Sequence, residues 1–230
     1  MFARIAPRYD FANHLLSFNI DRGWRKLLLK RLEPILKRPH AKILDLCCGT
    51  GDVLLELQEI ARAPVIGLDF CHPMLLAAGQ KALRKGFRAP LIEADALRLP
   101  IPDNTLDAIT ISFGFRNLAN YGAGLRELYR VLNPPGVLAI LEFSHPPGLV
   151  MHAAYGLYSR VLLPVIGGVV SGSREAYSYL PDSIRKFPDA ENLRKMMQAA
   201  GFDETKYELL TGGIAALHLG WKSPSRGAAE

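Results

Sequence analysis

Short apolar runs and amphipathic stretches alternate along the chain from residue 41 to residue 144, and this alternation restricts the fold more than any other feature. The apolar runs are AKILDLCC (41–48), PVIGLDF (64–70), APLIEAD (89–95), LDAITISFG (106–114) and GVLAILEFS (136–144). Nearly continuous apolarity is typical of strands that are covered on both faces, as in a parallel sheet. The stretches between the runs can form helices, so the sequence predicts an α/β fold with a doubly wound, mostly parallel sheet.

The last part of the chain departs from this alternation. A predicted helix over 189–202 is followed by TKYELLTGG (205–213) and AALHLGWK (215–222), with only a short turn between them. A connection that short makes an antiparallel hairpin, because a parallel crossover needs a dozen or more residues. The sequence therefore predicts seven strands, the last of them antiparallel.

The composition favours one domain without a membrane span. The chain has 230 residues, 49% of them hydrophobic, which is enough for one sizeable core. We expect a single domain over 1–222, with a helical N-terminal cap over 1–38 and a disordered tail over 223–230. The most apolar segment, 149–172, is interrupted by an arginine, a proline and glycines, so it does not predict a transmembrane helix.

Charge and cysteine content exclude few classes of protein but indicate a compartment. The net charge of +6 is compatible with an anionic surface as partner. A role in solubility alone is the other explanation of this charge. The three cysteines are an odd number, and two of them are adjacent within a predicted strand, so we expect free thiols in a reducing cytosol. Neither the cysteines nor the histidines have metal-ligand spacing, and no metal is expected.

The segment ILDLCCGTGDV (43–53) predicts a nucleotide-binding turn after the first strand. Gly49 and Gly51 match the first two glycines of the dinucleotide fingerprint, but Leu54 replaces the third. Asp69 follows Gly49 by 20 residues, where a carboxylate accepts hydrogen bonds from the two hydroxyls of a ribose. No Gly-Lys-Ser/Thr follows, which excludes a phosphate-binding loop.

Two further carboxylates favour S-adenosylmethionine (SAM) over a dinucleotide. Asp45 precedes the turn, where it would repel a pyrophosphate but attract an ammonium or a sulfonium group; its alternative role is that of a turn residue. At the end of the third strand, Asp95 can accept from an adenine amino group, and the N–H of Ala96 can donate to a ring nitrogen. The glycines allow close approach, and the helix that begins near Asp52 offers donors to a carboxylate.

This pattern resembles class I SAM-dependent methyltransferases. The residues that carry the resemblance each stand at a strand end: Asp45, Gly49, Gly51, Asp69 and Asp95. Several subclasses are set aside, because SFGFRN (112–117) lacks the motif of amino-group methyltransferases, no Pro-Cys pair supplies a nucleophile, and no carboxylate cluster suggests a catechol-type metal site.

Segments outside the glycine turn resemble one family over nearly the whole chain, the ubiquinone/menaquinone-biosynthesis C-methyltransferases. They are IAPRYDFANHLLSFNIDRGWR (5–25), SFGFRN (112–117), LEFS (141–144), SGSREAYSYLPDSIRKFP (171–188) and LTGGIAALHLGWK (210–222). The resemblance implies methylation of a ring carbon of a prenylated quinol, first of all demethylmenaquinol, with the benzoquinol of ubiquinone synthesis as the alternative. It also implies that SAM is held through Thr50, Asp69, Asp95, Ala96 and Ser112.

The same resemblance suggests the residues that act on the quinol. In the family, the arginine that matches Arg116 has been proposed to remove the quinol proton through a bound water. Its neighbours in that proposal match Tyr9 and Asn117. Arginine stays protonated in proteins, so we favour stabilisation of the quinol phenolate by Arg116, against the alternative of an ion-paired strand-end residue. Tyr177 and His218 stand in family motifs and are expected to line the quinol pocket or to serve the structure.

The implied substrate also suggests a location and partners. A prenyl tail needs an apolar channel, which gives the apolar segment over 145–187 a role as lid or substrate insertion, with a pair of core helices as the alternative. We expect a cytoplasmic enzyme in transient contact with the inner face of the membrane, no nucleic acid partner, and a homodimer as an open question. Rival functions are a sterol- or polyketide-type methyltransferase, a non-catalytic adenosine-binding subunit and, most remotely, a dinucleotide oxidoreductase.

Overall fold

The structure is a computed structural model that describes residues 20–147 and 182–224. The cap before residue 20, most of the 145–187 segment and the end of the predicted tail lie outside the described residues. The predictions for Tyr9 and Tyr177 therefore also lie outside them.

Five helices and seven strands are named here in chain order. The helices are α1 (Ile20–Leu36), α2 (Asp52–Ile60), α3 (His72–Arg84), α4 (Tyr121–Val131) and α5 (Ala190–Ala199). The strands are β1 (Ile43–Leu46), β2 (Val65–Asp69), β3 (Leu91–Glu93), β4 (Leu106–Ser112), β5 (Leu132–Phe143), β6 (Glu204–Leu210) and β7 (Ala215–Lys222). A short 3₁₀ turn, Phe115–Asn117, follows β4.

All seven strands form one sheet with the order β3-β2-β1-β4-β5-β7-β6. Strand β7 runs antiparallel to both of its neighbours, and the other pairs are parallel. The predicted doubly wound sheet with an antiparallel last strand is thereby confirmed. The strand order reverses between β1 and β4, and in such sheets ligands bind beyond the carboxyl ends of the strands at this reversal.

Helices cover the two faces of the sheet and bury a separate apolar cluster on each. On one face, Leu28 of α1 and Leu54 of α2 pack with Ile43 of β1. On the other face, Leu128 of α4 and Leu193 of α5 lie in the second cluster, which also contains Ile140 of β5. We call these the α1–α3 face and the α4–α5 face. Because side chains alternate along a strand, neighbouring residues of one strand point to different faces.

The strand ends differ from the prediction in ways that matter for the site. β1 was predicted over 41–48 but ends at Leu46, because Cys47 leaves the strand with a left-handed φ of 55°. β3 was predicted over 89–95 but spans only Leu91–Glu93, and the Leu97 N–H bonds to the Asp95 carboxylate in a local turn. The backbone from Cys47 onward and the carboxylate of Asp95 therefore lie beyond the ends of their strands, at the edge where a ligand would bind.

Helix α1 is anchored by a buried charged residue. Arg25 is only 5% exposed and forms ion pairs with Asp21 of its own helix and with Asp52 and Glu56 of α2. Trp24 and Leu28 of the same helix are also buried. The ion pairs fix the cap helix beside the helix that follows the glycine turn.

Candidate active site at the carboxyl edge of the sheet

The two glycines of the turn have different roles. Both have left-handed φ values, 54° at Gly49 and 86° at Gly51. A Cβ atom at Gly51 would lie 3.0 Å from the Cβ of Ala78, so this glycine allows the turn to pack on α3. A Cβ atom at Gly49 would meet no heavy atom of the described residues within 4 Å. Gly49 therefore exposes backbone to open space, which a ligand can approach closely.

Asp69 joins the turn to the end of β2. Its Oδ2 accepts a hydrogen bond of 2.9 Å from the N–H of Gly49, and its Oδ1 accepts one of the same length from the N–H of Cys71. Burial raises the pKa of this carboxyl group, and the N–H donors oppose the shift. A carboxylate has about four acceptor positions, so acceptor capacity for hydroxyl groups of a ligand remains beside these two hydrogen bonds and the nearby N–H of Phe70.

Asp45 is a buried carboxyl group with one oxygen left without a hydrogen bond. The residue is 1% exposed, and the hydroxyl of Thr110 donates to its Oδ1 over 2.7 Å. Its Oδ2 has no hydrogen-bond partner among the described residues, although the N–H of Leu54 is near enough to favour the charged form. Burial raises the pKa of Asp45 to about 7, with the Thr110 hydrogen bond opposing. A nearby cation would stabilise the ionised form.

The remaining predicted cofactor residues stand at the carboxyl ends of β1, β3 and β4 and differ in burial. Ser112 ends β4, and its buried Oγ has no hydrogen-bond partner in the described part of the chain. Thr50 is buried in the turn, where its hydroxyl accepts from Lys81 Nζ over 3.3 Å. Asp95 is exposed, while Ala96 is half-buried. These two stand beyond β3, the strand that follows β2 across the sheet.

Arg116 lies in a second group at the same edge, beyond β4 and β5. The side chain is buried, and its Nη1 donates to Glu142 Oε1 over 2.9 Å and to the carbonyl oxygen of Phe113. The backbone N–H of Arg116 donates to the other oxygen of Glu142 over 3.2 Å. The predicted arginine is thus held by a carboxylate that sequence analysis did not single out. Asn117 is the next residue and is half-buried in the same 3₁₀ turn.

Aromatic rings cover the α1–α3 side of this second group. The ring centroids of Phe113 and Phe143 are 5.0 Å apart, and Trp24 lies 6.1 Å and 6.3 Å from them. The guanidinium carbon of Arg116 is 5.4 Å from the centroid of the Phe143 ring. The arrangement combines a cation with an apolar aromatic wall.

Cys47 connects the two groups electrostatically. Burial raises the pKa of its thiol, and the charges of Asp69, Asp45 and Glu142 raise it further, while Arg116 opposes them. All three cysteines of the chain are free. The Cys47 thiol is therefore neutral and unreactive at the junction between the carboxylates of β1 and β2 and the ion pair of Arg116.

Two residues of the site escaped the sequence analysis although each had a signal. Glu142 is an acid within the otherwise apolar run LAILEF, which is unusual for a core strand unless the charge is paired. Phe70 directly follows Asp69 and is 63% exposed, which is high for a large aromatic residue beside a ligand-binding acid. Phe70 therefore offers a free aromatic surface next to the expected ribose position.

His218 lies on the face of the sheet opposite to that of Asp45. It lies on β7 opposite Ile140 and therefore on the α4–α5 face, whereas Asp45 shares the α1–α3 face with Ile43. Its Nε2 is 2.8 Å from the carbonyl oxygen of Ala190, and burial lowers its pKa to about 4. A neutral core histidine explains these contacts, and the expected role in the quinol pocket stays a prediction.

The described residues contain neither a membrane-spanning helix nor a metal-binding cluster. None of the helices in residues 20–147 and 182–224 is long and apolar enough to cross a membrane. Within the same ranges, no group of three or more His, Cys, Asp or Glu side chains is arranged to hold a metal ion. The expected absence of a metal stays a prediction.

Comparisons with known proteins agree on family and fold. A demethylmenaquinone methyltransferase of Thermus thermophilus is 50% identical over 96% of this chain and 99% of its own length. A ubiquinone/menaquinone biosynthesis C-methyltransferase of Dinoroseobacter shibae is 42% identical over 96% of this chain and 89% of its own. The crystal structure of a SAM-dependent methyltransferase from Aquifex aeolicus shares the fold, with a TM-score of 0.59 and 20% identity over 86% and 88% of the two chains. The model of the ubiE/COQ5 methyltransferase family matches residues 1–222, and the chain belongs to that family, as its motifs predicted.

Proposed function

We propose that the chain methylates a ring carbon of a prenylated quinol with SAM as methyl donor, and that demethylmenaquinol is the preferred acceptor. One observation carries the first half of this proposal. The open space at Gly49 adjoins a turn where Asp45 Oδ2 is buried without a hydrogen-bond partner among the described residues, and Ser112 Oγ at the end of β4 is in the same condition. Buried polar atoms are normally paired, so they indicate a polar ligand.

The residues present fit SAM in charge and in hydrogen bonding. Asp69 has acceptor capacity left for ribose hydroxyls, and Phe70 presents an exposed ring beside it. Asp45 would lose its desolvation penalty next to the ammonium and sulfonium groups. Asp95 and the N–H of Ala96 are available beyond β3 for the adenine ring. When bound, SAM supplies an electrophilic methyl group on a positively charged sulfur.

Arg116 would act on the acceptor. A quinol ring carbon becomes a nucleophile when the ring hydroxyl loses its proton to water, and after methylation the same carbon loses its hydrogen as a proton, which restores the aromatic ring. The phenolate formed in the first step needs a stabilising charge. The guanidinium is always protonated, lies beside the Phe143 ring and is buried, which strengthens its interaction with an anion. Charge neutralisation between phenolate and sulfonium also favours a dry site over separate solvated ions. Tyr9 and Asn117 are proposed as neighbours in this step on the resemblance alone.

The choice of ring rests on the relatives. The relative that is half identical to this chain is named for demethylmenaquinone alone, and the relative at 42% identity is named for both quinones. The benzoquinol of ubiquinone synthesis is therefore the second candidate. A prenyl tail partitions into lipid, so we also propose a cytoplasmic protein in transient contact with the inner face of the membrane. The 145–187 segment is proposed to cover the tail.

The test is transfer of a labelled methyl group from SAM to acceptors in detergent. A demethylated prenyl naphthoquinol and its benzoquinol counterpart are offered in reduced form, with the oxidised quinones as controls. We expect label in the naphthoquinol first and none in the quinones. The Arg116→Ala variant should lose turnover and keep cofactor binding, whereas Arg130→Ala should keep both, because Arg130 of α4 pairs with Glu127 of the same helix and with Asp103, which precedes β4. Absence of label in both quinols would contradict the proposal.

A further inference from the structure

Glu142 is a buried acid that the established family relationship and the proposed reaction leave without a role. It is 1% exposed and lies near the end of β5, opposite Ala216 of β7. Its Oε1 accepts from Arg116 Nη1 and, over 2.9 Å, from the N–H of Phe143, and its Oε2 accepts from the N–H of Arg116. Two of its three hydrogen bonds therefore go to a single residue.

This geometry fixes Arg116 at both ends. The backbone and the guanidinium of Arg116 bind to the two oxygens of one carboxylate, and the carbonyl oxygen of Phe113 accepts from the same Nη1. Phe113 has a left-handed φ of 57°, which is rare for a bulky residue and recurs at functional sites. The orientation of the guanidinium is thus determined by the ends of β4 and β5 together.

We infer that Glu142 is a positioning residue that orients Arg116 and offsets part of its charge, and that it thereby sets the pH at which the bound quinol hydroxyl ionises. The inference rests on the proposed function, since it concerns the same arginine. A residue that only held Arg116 in place would need a hydrogen-bond acceptor but no charge. An ionised carboxylate 2.9 Å from the guanidinium also reduces the positive potential that a phenolate experiences.

Two substitutions separate orientation from charge. Glu142→Gln keeps the length and an acceptor oxygen but removes one negative charge, so the site becomes more positive and the phenolate forms at lower pH. Glu142→Asp keeps the charge but shortens the side chain, so the guanidinium loses its position while the potential changes little. A merely structural acid predicts loss of stability in both variants and an unchanged pH profile in both.

Other titratable groups stand on the elements packed around this pair. Cys47 belongs to the glycine turn, the hydroxyl of Tyr121 of α4 donates to the Arg116 carbonyl, and His145 follows β5 with its ring bonded to the Phe187 carbonyl. Asp45 and Asp69 act on Cys47 from β1 and β2. All of them are present in the wild type and in both variants, so a difference between pH profiles reports on position 142.

The experiment measures kcat and KM for the naphthoquinol across pH for the wild type, Glu142→Gln and Glu142→Asp. For Glu142→Gln, we expect the ascending limb of the kcat profile to move to lower pH by about one unit. For Glu142→Asp, we expect a fall in kcat of about tenfold with KM and the position of the profile unchanged. Glu127→Gln is the matched control, because Glu127 pairs with Arg130 on α4 and should leave the profile in place.

A second readout does not need turnover. Ionisation of bound 1-naphthol, followed by absorbance, should occur at lower pH in Glu142→Gln than in the wild type and at the same pH in Glu127→Gln. Profiles of Glu142→Gln and wild type that superpose would overturn the inference while leaving the proposed function intact. If the wild type itself transfers no methyl group, the proposed function fails, and the naphthol titration alone decides whether Glu142 sets the potential at Arg116.

Discussion

Two carboxyl groups, Asp45 and Glu142, stand at the same edge of one sheet with the same 1% exposure, yet their surroundings are opposite. Glu142 accepts hydrogen bonds from a guanidinium and two backbone N–H groups. Asp45 accepts one hydrogen bond, from the hydroxyl of Thr110, and its second oxygen has no hydrogen-bond partner in the described residues. Burial of an unpaired acid is costly, and neighbouring groups of the protein satisfy Glu142, whereas Asp45 keeps the unpaired oxygen that the proposed function assigns to the cofactor.

The difference divides the edge into two functional halves. The half around Asp45 carries a cost of desolvation that a cationic cofactor would remove. The half around Glu142 contains its own cation, held in place beside an aromatic wall where a quinol ring would lie. Cys47 joins the two halves, because it directly precedes the glycine turn and packs against Gly114, next to the 3₁₀ turn of Arg116. The predictions below test this division, beginning with the largest effect.

The first prediction concerns the ion pair. Arg116→Ala should lower the free energy of unfolding by about 3–5 kcal/mol, because it leaves the carboxylate of Glu142 buried without its cation. The double variant Arg116→Met, Glu142→Gln should recover most of that loss, since no uncompensated charge remains. Denaturant unfolding at neutral pH measures both values. A loss below about 1 kcal/mol in the single variant would show that Glu142 does not depend on Arg116.

The second prediction concerns Asp45 and pH. Its pKa is about 7 in the folded protein and about 4 in the unfolded chain, so between these values the folded state binds a proton that the unfolded state has lost. The free energy of unfolding should therefore fall as pH rises from about 4 to about 7, by on the order of 4 kcal/mol, and stay low above that. Asp45→Asn should remove this fall. Parallel pH curves for variant and wild type would argue against a neutral Asp45.

The third prediction concerns Asp69. Asp69→Ala should weaken binding of S-adenosylhomocysteine by about 1.5–3 kcal/mol, because ribose hydroxyls and the Gly49 N–H lose their acceptor. Asp107→Ala is the matched control, since Asp107 also accepts from a backbone N–H, that of Lys42, at the opposite end of the sheet. Calorimetric titration should show unchanged affinity for the control. Equal losses in both variants would indicate a general effect on stability.

The fourth prediction concerns the open glycine. Gly49→Ala should reduce cofactor affinity by about 1–2 kcal/mol, because the methyl group enters the space that the ligand is expected to fill and the residue must keep a left-handed φ. Gly86→Ala has a similar left-handed φ of 80° and equally open surroundings at the end of α3, so it should cost comparable stability and no affinity. Equal affinities in the two variants would remove Gly49 from the binding surface.

The sequence predicted the sheet well because its signals are local, and the signals for the cofactor half are local too. A buried parallel strand is a continuous apolar run, and the glycine turn with its acid at a spacing of 20 residues lies within one βαβ unit. Strand ends were less predictable, since Cys47 and Asp95 leave their strands through backbone turns that apolarity does not reveal. The predicted family and fold are confirmed.

The ion pair could not be predicted in the same way. Arg116 and Glu142 are 26 residues apart and meet only because β4 and β5 are parallel neighbours in register. A sequence pattern shows an acid in an apolar run, but it does not show which cation will satisfy it. For the same reason, the motif that contains His218 does not reveal that the register of β7 places this residue beneath α5, and its expected role in the quinol pocket stays a prediction.

The most direct measurement of the central claim is the position of the transferred methyl group. The protein is incubated with SAM carrying a ¹³C-labelled methyl group and a demethylated prenyl naphthoquinol, and the product is examined by carbon NMR. We predict a single labelled methyl bonded to a ring carbon, and none in the Arg116→Ala variant. A labelled methoxy group, or no labelled product from an enzyme that binds SAM, would contradict C-methylation of a quinol at this edge of the sheet.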